Sequence, residues 1–442
     1  MRFPAHPVSP RVALLRGPIA CSLALALSLW AGVAGAGPLG AQGTPARAGE
    51  QAGPGDAAYR EAVDAMVRQD WAAAERAFRE SLRLQPQAVP ARLGLAELAF
   101  RKADLAQAGR HIDEALRLDP ERTEVLAAKG RLLALQGKLA EAANTLARAA
   151  ERDPRAIRPR MDLADLLVSR GDHRQALDLY RQVLAIDSRH AGARFAYGVA
   201  LRETGDRDAA IGELRAAVGL APEAVQAHVE LARTEFQRRR FTEALLAAEA
   251  AVALKPVPVG AWLVHADALE ANGRVDDALR SLASAAQVAP RAAAPHLRTG
   301  MIEHQRGRLD AAEQAYRRAL ELDRRQPAAL NNLAAIALTR KTGLAEAEGW
   351  AREATRLNPR AAHLQHTLGE VLRAQGKAAD ALVAYGAAAS LLPGDARLAF
   401  HHGRALAEAG QKAKARDVVR AILDRDPNFT DAAEARRLLE TL

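Results

Sequence analysis

The sequence predicts an all-α protein built from repeated helical hairpins, and two observations support this. A proline marker recurs every 34 residues from Pro86 onward. Alanine accounts for 105 of the 442 residues and aromatic residues for only 4% of them. Helices that pack closely use alanine at their contacts, whereas large mixed cores depend on aromatic and β-branched side chains. The single cysteine excludes an intrachain disulfide, a Cys-based zinc site and an iron–sulfur cluster.

Residues 1–36 have the pattern of a secretory signal peptide. The pattern has three parts in the expected order, namely the bases Arg2, Arg11 and Arg16, the apolar run 19–33, and the small residues Ala34-Gly35-Ala36. We expect cleavage after Ala36, with an uncleaved inner-membrane anchor facing the periplasm as the alternative. Residues 37–54 are rich in Gly, Pro and Ala without periodicity, which predicts a flexible tether.

Residues 55–427 divide into eleven units of 34 residues, one of which carries an extra residue near 340–343. The marker is proline at 86, 120, 154, 222, 256, 290, 359, 393 and 427, with Ser188 and Arg324 at the other two places. When the marker is numbered as position 32, position 20 is Ala in every unit: Ala74, Ala108, Ala142, Ala176, Ala210, Ala244, Ala278, Ala312, Ala347, Ala381 and Ala415. Position 8 is always Ala or Gly, and position 15 is Gly in seven units.

Each unit contains two amphipathic stretches of about 14 residues with the apolar spacing of helices. Glycine at position 15 ends the first helix, and proline at position 32 prevents the second from continuing. Small residues at positions 8 and 20 allow the helices to approach closely, and larger residues at position 24 are expected to fill the space toward the neighbouring unit. One hairpin cannot bury both of its faces, so the units must stack.

This pattern resembles the tetratricopeptide repeat family, most clearly in the segment GMIEHQRGRLDAAEQAYRRALELD at 300–323. The resemblance implies a right-handed α-solenoid of about eleven hairpins, with residues 428–442 as a C-terminal capping helix. It also implies that positions 2, 5, 9, 12 and 13 of each first helix line a concave face that binds a protein or peptide partner.

Those positions carry both aromatic and charged side chains here. The candidate partner-binding residues are Phe100, Arg131, Phe195, Arg202, Arg233, Phe236, Arg373 and Arg404, accompanied by Tyr59 and Phe400 and by the acids Glu97, Asp165, Asp267, Glu270 and Glu370. Aromatic and arginine side chains contribute disproportionately to interfaces. Asn331 and Asn332 resemble the asparagine with which some family members clamp a peptide backbone. The alternative is that the aromatics pad joints between helices and the charges solvate the face.

A histidine cluster near the C-terminus suggests a further hypothesis. His363, His366 and Glu370 follow helical spacing along one face, and His401 occupies the comparable region of the next unit. Imidazole and carboxylate groups could hold zinc or copper there. The alternative is that these are polar residues tolerated on a solvated surface, and no cofactor is predicted.

Catalytic motifs such as G-x-S-x-G, H-E-x-x-H and the P-loop are absent from the sequence, so we predict that the protein is not an enzyme. Loss of Arg2, Arg11 and Arg16 with the signal peptide would lower the formal charge from +9 to +6. The remaining basic residues are interleaved with acidic ones, and this distribution argues against nucleic-acid binding.

The sequence therefore predicts a non-catalytic interaction scaffold in the periplasm of a bacterium, acting as a monomer or within an envelope complex. Resemblance to exported repeat proteins suggests polysaccharide export, pilus assembly or outer-membrane biogenesis. A periplasmic chaperone or holdase is the first alternative. The second is a metal-handling or enzyme-accessory protein that uses the histidine cluster.

Overall fold

The computed structural model describes residues 54–442, and within this range every regular element is an α-helix. The predicted signal peptide, and the predicted tether apart from Pro54, lie outside the described residues. The helices pack in consecutive antiparallel pairs followed by one C-terminal helix, which confirms the predicted all-α class and its hairpin organisation.

Residues 54–257 form one compact unit, here called the N-terminal array. Its six hairpins are α1 (Pro54–Val67) with α2 (Trp71–Leu84), α3 (Val89–Arg101) with α4 (Leu105–Leu118), α5 (Thr123–Leu135) with α6 (Leu139–Arg152), α7 (Ile157–Ser169) with α8 (His173–Ile186), α9 (Ala191–Thr204) with α10 (Arg207–Leu220), and α11 (Val225–Gln237) with α12 (Phe241–Ala253).

Residues 258–442 form a second unit, here called the C-terminal array. Its five hairpins and final helix are α13 (Val259–Ala271) with α14 (Val275–Val288), α15 (Ala293–Gln305) with α16 (Leu309–Leu322), α17 (Pro327–Arg340) with α18 (Leu344–Leu357), α19 (Ala362–Ala374) with α20 (Ala378–Leu391), α21 (Ala396–Glu408) with α22 (Lys412–Arg425), and α23 (Ala432–Thr441).

The repeated small residues lie at the contacts within each hairpin. All eleven alanines at position 20 are at most 1% exposed. A Cβ atom added to Gly300 would lie 2.6 Å from the ring of Tyr316, and one added to Gly369 would lie 2.7 Å from the ring of Tyr385. The large side chain at position 24 therefore covers position 8 of its own hairpin. It also packs against the next hairpin, as predicted, since Tyr316 clusters with Ala329 and Leu333.

The turn inside each hairpin explains the glycines at position 15. Gly137 and Gly205 have φ angles of 78° and 99°, in the left-handed region where only glycine is unstrained. Ala103 and Arg239 adopt the same conformation without being glycine. In three hairpins the next residue is an aspartate that caps the second helix: Asp70, Asp104 and Asp206. The side chain of Asp70 accepts a hydrogen bond of 2.9 Å from the backbone N–H of Ala73.

Each array has a core that continues from hairpin to hairpin. In the N-terminal array one cluster joins Tyr180 of α8 to Ala193 and Leu201 of α9. In the C-terminal array Phe429 and Ala435 pack against Phe400, so α23 covers the last hairpin. Stacking of this kind buries the apolar face that each hairpin leaves open.

Candidate functional site

The first helices of neighbouring hairpins contact one another within each array. The surface that they form is here called the first-helix face. It is built from α1, α3, α5, α7, α9 and α11 in the N-terminal array and from α13, α15, α17, α19 and α21 in the C-terminal array. The candidate residues at positions 5, 9 and 12 belong to this face because they recur once per first helix.

Arginines on the first-helix face pair with acids on an adjacent hairpin. A guanidinium nitrogen of Arg131 lies 2.7 Å from a carboxylate oxygen of Glu97, and both side chains are less than one fifth exposed. The guanidinium carbon of Arg131 also lies 4.5 Å from the ring centroid of Phe100. Burial alone would raise the pKa of Glu97, but the charges of Arg131 and Arg158 outweigh it and the pKa is lowered.

Arg202 is the most enclosed of these bases. Its side chain is 10% exposed and forms an ion pair with Glu230, which is 7% exposed. A second nitrogen of Arg202 lies 2.7 Å from Glu203, and Arg233 lies 3.3 Å from Glu230. These contacts place Arg202 inside a network between α9 and α11.

The aromatic candidates of the N-terminal array are partly buried. Phe100, Phe195 and Phe236 each keep part of the ring accessible. The Phe236 ring packs edge-on against Phe241 with centroids 5.3 Å apart. Tyr59 is also partly buried, and its ring centroid lies 5.9 Å from that of Phe78. These rings serve helix packing and also contribute to the surface.

The C-terminal array repeats the same pairing. Arg373 lies 2.9 Å from Glu408, and Arg404 lies 3.3 Å from both Glu370 and Glu434. Arg298 pairs with Asp267 and lies 3.7 Å from Glu270. Four of the five arginines predicted as partner contacts, Arg131, Arg202, Arg373 and Arg404, therefore also join neighbouring hairpins, whereas Arg233 pairs within its own helix.

The two asparagines have different environments. The Asn332 amide donates a hydrogen bond of 3.0 Å to the hydroxyl of Tyr316. The side-chain oxygen of Asn331 is buried and has no hydrogen-bond partner. Asn332 therefore joins α17 to α16 of the preceding hairpin. The side-chain oxygen of Asn331 can still accept a hydrogen bond.

A tyrosine at position 24 repeatedly binds an acid at position 9 of its own hairpin. The Tyr180 hydroxyl donates to Asp165 at 2.7 Å, and the Tyr385 hydroxyl donates to Glu370 at 2.7 Å. Both pairs are separated by 15 residues. This spacing is visible in the sequence and is the signal from which both hydrogen bonds could be predicted.

Asp165 should make the stability of the N-terminal array depend on pH. Burial raises its pKa to about 7, although the hydrogen bond from Tyr180 lowers it. Because this pKa is above the unfolded value of about 3.9, the stabilising contribution is present below pH 4 and is lost as pH rises through 7. We expect Asp165→Asn, which keeps an acceptor for Tyr180, to gain stability relative to the wild type between pH 5 and pH 8.

Urea unfolding at a series of pH values measures this difference. Asp178→Asn is the matched control because the Asp178 side chain is 65% exposed, and its curve should follow that of the wild type. A constant difference between Asp165→Asn and the wild type across this range would contradict the assignment.

His366, Glu370 and His401 meet on the first-helix face between α19 and α21. Nε2 of His366 lies 2.7 Å from Nδ1 of His401, which lies 2.9 Å from a Glu370 oxygen. Burial and the neighbouring His401 lower the pKa of His366 to about 4. Burial opposes ionisation of Glu370, but hydrogen bonds from His401 and Tyr385 outweigh it and lower its pKa to about 2.

His363 does not join this cluster. Its side chain is exposed, and the group of potential metal ligands found within residues 54–442 consists of His366, Glu370 and His401. The one-face spacing of His363, His366 and Glu370 along α19 thus brings together only the last two.

One family model described as tetratricopeptide repeat matches the segments 59–122, 98–157, 161–223, 200–257 and 263–327. A second model with the same description matches 372–442. Because these segments cover more than half of the sequence, the chain belongs to the tetratricopeptide repeat family. Proteins of this family bind protein partners and their repeat fold is generally non-catalytic, so the chain is a protein-interaction scaffold. Within residues 54–442, no helix is both long and apolar enough to cross a membrane.

Two solved structures are similar in fold. A chain of the APC/C hetero-tetramer Cut9–Hcn1 is 16% identical, with a TM-score of 0.47 over 88% of this chain and 96% of that chain. Yeast Tom70 is 14% identical, with a TM-score of 0.45 over 88% of this chain and 95% of that chain. No curated protein matches the sequence.

Proposed function

We propose that this protein captures a segment of a partner protein on the first-helix face of its N-terminal array. The supporting observation is that arginines held in fixed positions alternate there with partly accessible aromatic rings. Arg131 is oriented by Glu97 and by the ring of Phe100, and Arg202 is oriented by Glu203 and Glu230.

Ion pairing does not exhaust the binding capacity of these arginines. A guanidinium group has five N–H donors, and each acid occupies one or two of them. Holding the side chain in place beforehand lowers the conformational entropy that is lost when a partner binds. Phe195 and Phe236 then provide apolar contact area on the same face, which suits the aromatic and arginine composition of strong interface contacts.

Site-specific photocrosslinking tests where the partner binds. A photoreactive phenylalanine analogue replaces Phe195 or Phe236 in the full chain, and the control position is Leu246 on α12, which is 63% exposed. We expect the same partner to be crosslinked from both first-helix positions and not from Leu246. Crosslinking of that partner only from Leu246 would place the interface on the second helices.

The same experiment separates a scaffold from the chaperone alternative. A scaffold should yield one partner or a small set of partners, because its contacts are selective. Crosslinks to many unrelated unfolded chains at Phe195 would instead favour a holdase, for which exposed aromatic rings are sufficient.

We further propose that the protein acts in the bacterial envelope after export. The support is the order of basic, apolar and small residues within 1–36. Sequencing of the N-terminus after expression in a bacterium should find a mature chain that begins at Gly37. A periplasmic chain that retains Met1 would support the anchored alternative, and a cytoplasmic chain would contradict export. Polysaccharide export, pilus assembly and outer-membrane biogenesis are the pathways in which the partner is to be sought.

A further inference from the structure

We propose that His366, Glu370 and His401 form a binding site for a divalent transition-metal ion, with Zn²⁺ as the best-suited ion. The site joins α19 to α21 in neighbouring hairpins of the C-terminal array. It is independent of the partner-binding face proposed for the N-terminal array.

The three ligand atoms lie close to the separation of about 3.3 Å that the ligands of a tetrahedral Zn²⁺ have, and two of the three distances must lengthen by about half an ångström. Nε2 of His366 and Nδ1 of His401 are 2.7 Å apart, and the Glu370 oxygen lies 2.9 Å from His401 and 3.8 Å from His366. A point about 2 Å from all three atoms follows from these distances, and this equals the usual Zn–N and Zn–O bond length. Small side-chain adjustments therefore suffice to admit the ion.

The ligand types select the class of metal. Two imidazoles and one carboxylate suit zinc and copper, whereas calcium and magnesium prefer oxygen ligands. His366 and Glu370 are four residues apart on one helix, so α19 presents both toward the same point. His401 completes the set from the next first helix and is 7% exposed.

Asp431 lies where it can accept a hydrogen bond from a metal-bound His401. In the present arrangement Nδ1 of His401 lies 2.9 Å from a Glu370 oxygen. Binding of the metal by Nδ1 requires the ring proton to lie on Nε2, which is 3.7 Å from an oxygen of Asp431. That oxygen is buried and accepts no hydrogen bond, although Nε of Arg397 also lies 3.7 Å from it. A small shift of the His401 ring would bring its Nε2–H group within hydrogen-bond distance of Asp431.

Arg404 and Arg397 place positive charge near the site, and Arg404 contacts a ligand directly. One of its nitrogens lies 3.3 Å from the Glu370 oxygen, and another lies 3.3 Å from Glu434. Tyr385 donates to the same Glu370 oxygen at 2.7 Å and holds the carboxylate toward the site. Removal of the Arg404 charge should therefore strengthen metal binding, and Glu434 can hold the arginine when the metal enters.

Zinc titration of the full chain against a chromogenic chelator tests the site. We expect the wild type to bind Zn²⁺, His366→Ala and Glu370→Gln to weaken binding at least about tenfold, and Arg404→Gln to tighten it. His363→Ala is the matched control on the same helix and should leave the affinity unchanged. Zinc should also raise the melting temperature of the wild type and of His363→Ala, but not that of His366→Ala.

Equal zinc affinity in the wild type and a folded His366→Ala variant would overturn the proposal, because the ion would then be held elsewhere. If circular dichroism shows that His366→Ala is unfolded, Glu370→Gln and Arg404→Gln still decide the matter. Weaker binding in the first and tighter binding in the second support the site. Unchanged affinity in both overturns it.

Discussion

Replacement of Arg202 by glutamate is expected to destabilise the N-terminal array by about 3–5 kcal/mol. The substitution removes the closer of the two arginine partners of Glu230, which is 7% exposed, and leaves Arg233 at 3.3 Å. It also adds a carboxylate beside Glu230 and Glu203. Breaking a buried ion pair and reversing the charge of one partner has a cost of this size. Urea unfolding monitored by circular dichroism measures the loss.

A charge-swapped double variant is the control for this result. Arg202→Glu combined with Glu230→Arg restores opposite charges and should recover part of the lost stability. Glu203→Gln should change stability by less than about 0.5 kcal/mol, because Glu203 is 47% exposed. A stable Arg202→Glu variant would show that this ion pair does not join α9 to α11.

Replacement of Phe78 by alanine is the second large effect that we expect, at about 3–5 kcal/mol. Phe78 is fully buried and lies in the cluster that joins the first two hairpins. Its ring also occupies the space above Gly94, where an added Cβ would lie 2.3 Å from the ring. The loss includes both the buried area of the ring and the cavity that remains.

The close contact with Gly94 allows a double-mutant cycle. Gly94→Ala alone should destabilise by about 1–3 kcal/mol through overpacking. Combined with Phe78→Leu, whose side chain is shorter, the same alanine should cost clearly less, with a coupling of about 0.5–3 kcal/mol. Additive effects would contradict the packing of Phe78 over Gly94. Val67→Ala is the exposed control, since Val67 is 65% exposed.

The helices and their turns could be predicted from the sequence because each depends on residues close together in the chain. Alanine at position 20 and glycine at position 15 have local steric causes, and Ala210 and Gly205 show those causes directly. The pairing of charges was not predicted. Glu97 and Arg131 both occupy position 9, 34 residues apart, so opposite charge at this spacing was an available signal.

The histidine cluster shows where sequence periodicity stops being informative. Helical spacing places His363, His366 and Glu370 along one face, yet His363 is exposed and separate from the cluster. The approach of His401 and the orientation of Tyr385 depend on packing between hairpins, which periodicity within one helix does not determine. The same holds for Asp431, which approaches His401 from the segment that leads into α23.

The central claim is that the first-helix face of the N-terminal array binds a protein partner. The most direct measurement is the affinity of the crosslinked partner for Phe236→Ala compared with Leu246→Ala in the full chain. Arg202 is unsuitable for this purpose because its substitution also destabilises the array. We predict that Phe236→Ala weakens binding about tenfold, as expected for an interface contact worth more than 1 kcal/mol, while Leu246→Ala does not. Equal affinity of a folded Phe236→Ala variant and the wild type, with weaker binding by Leu246→Ala, would contradict the claim.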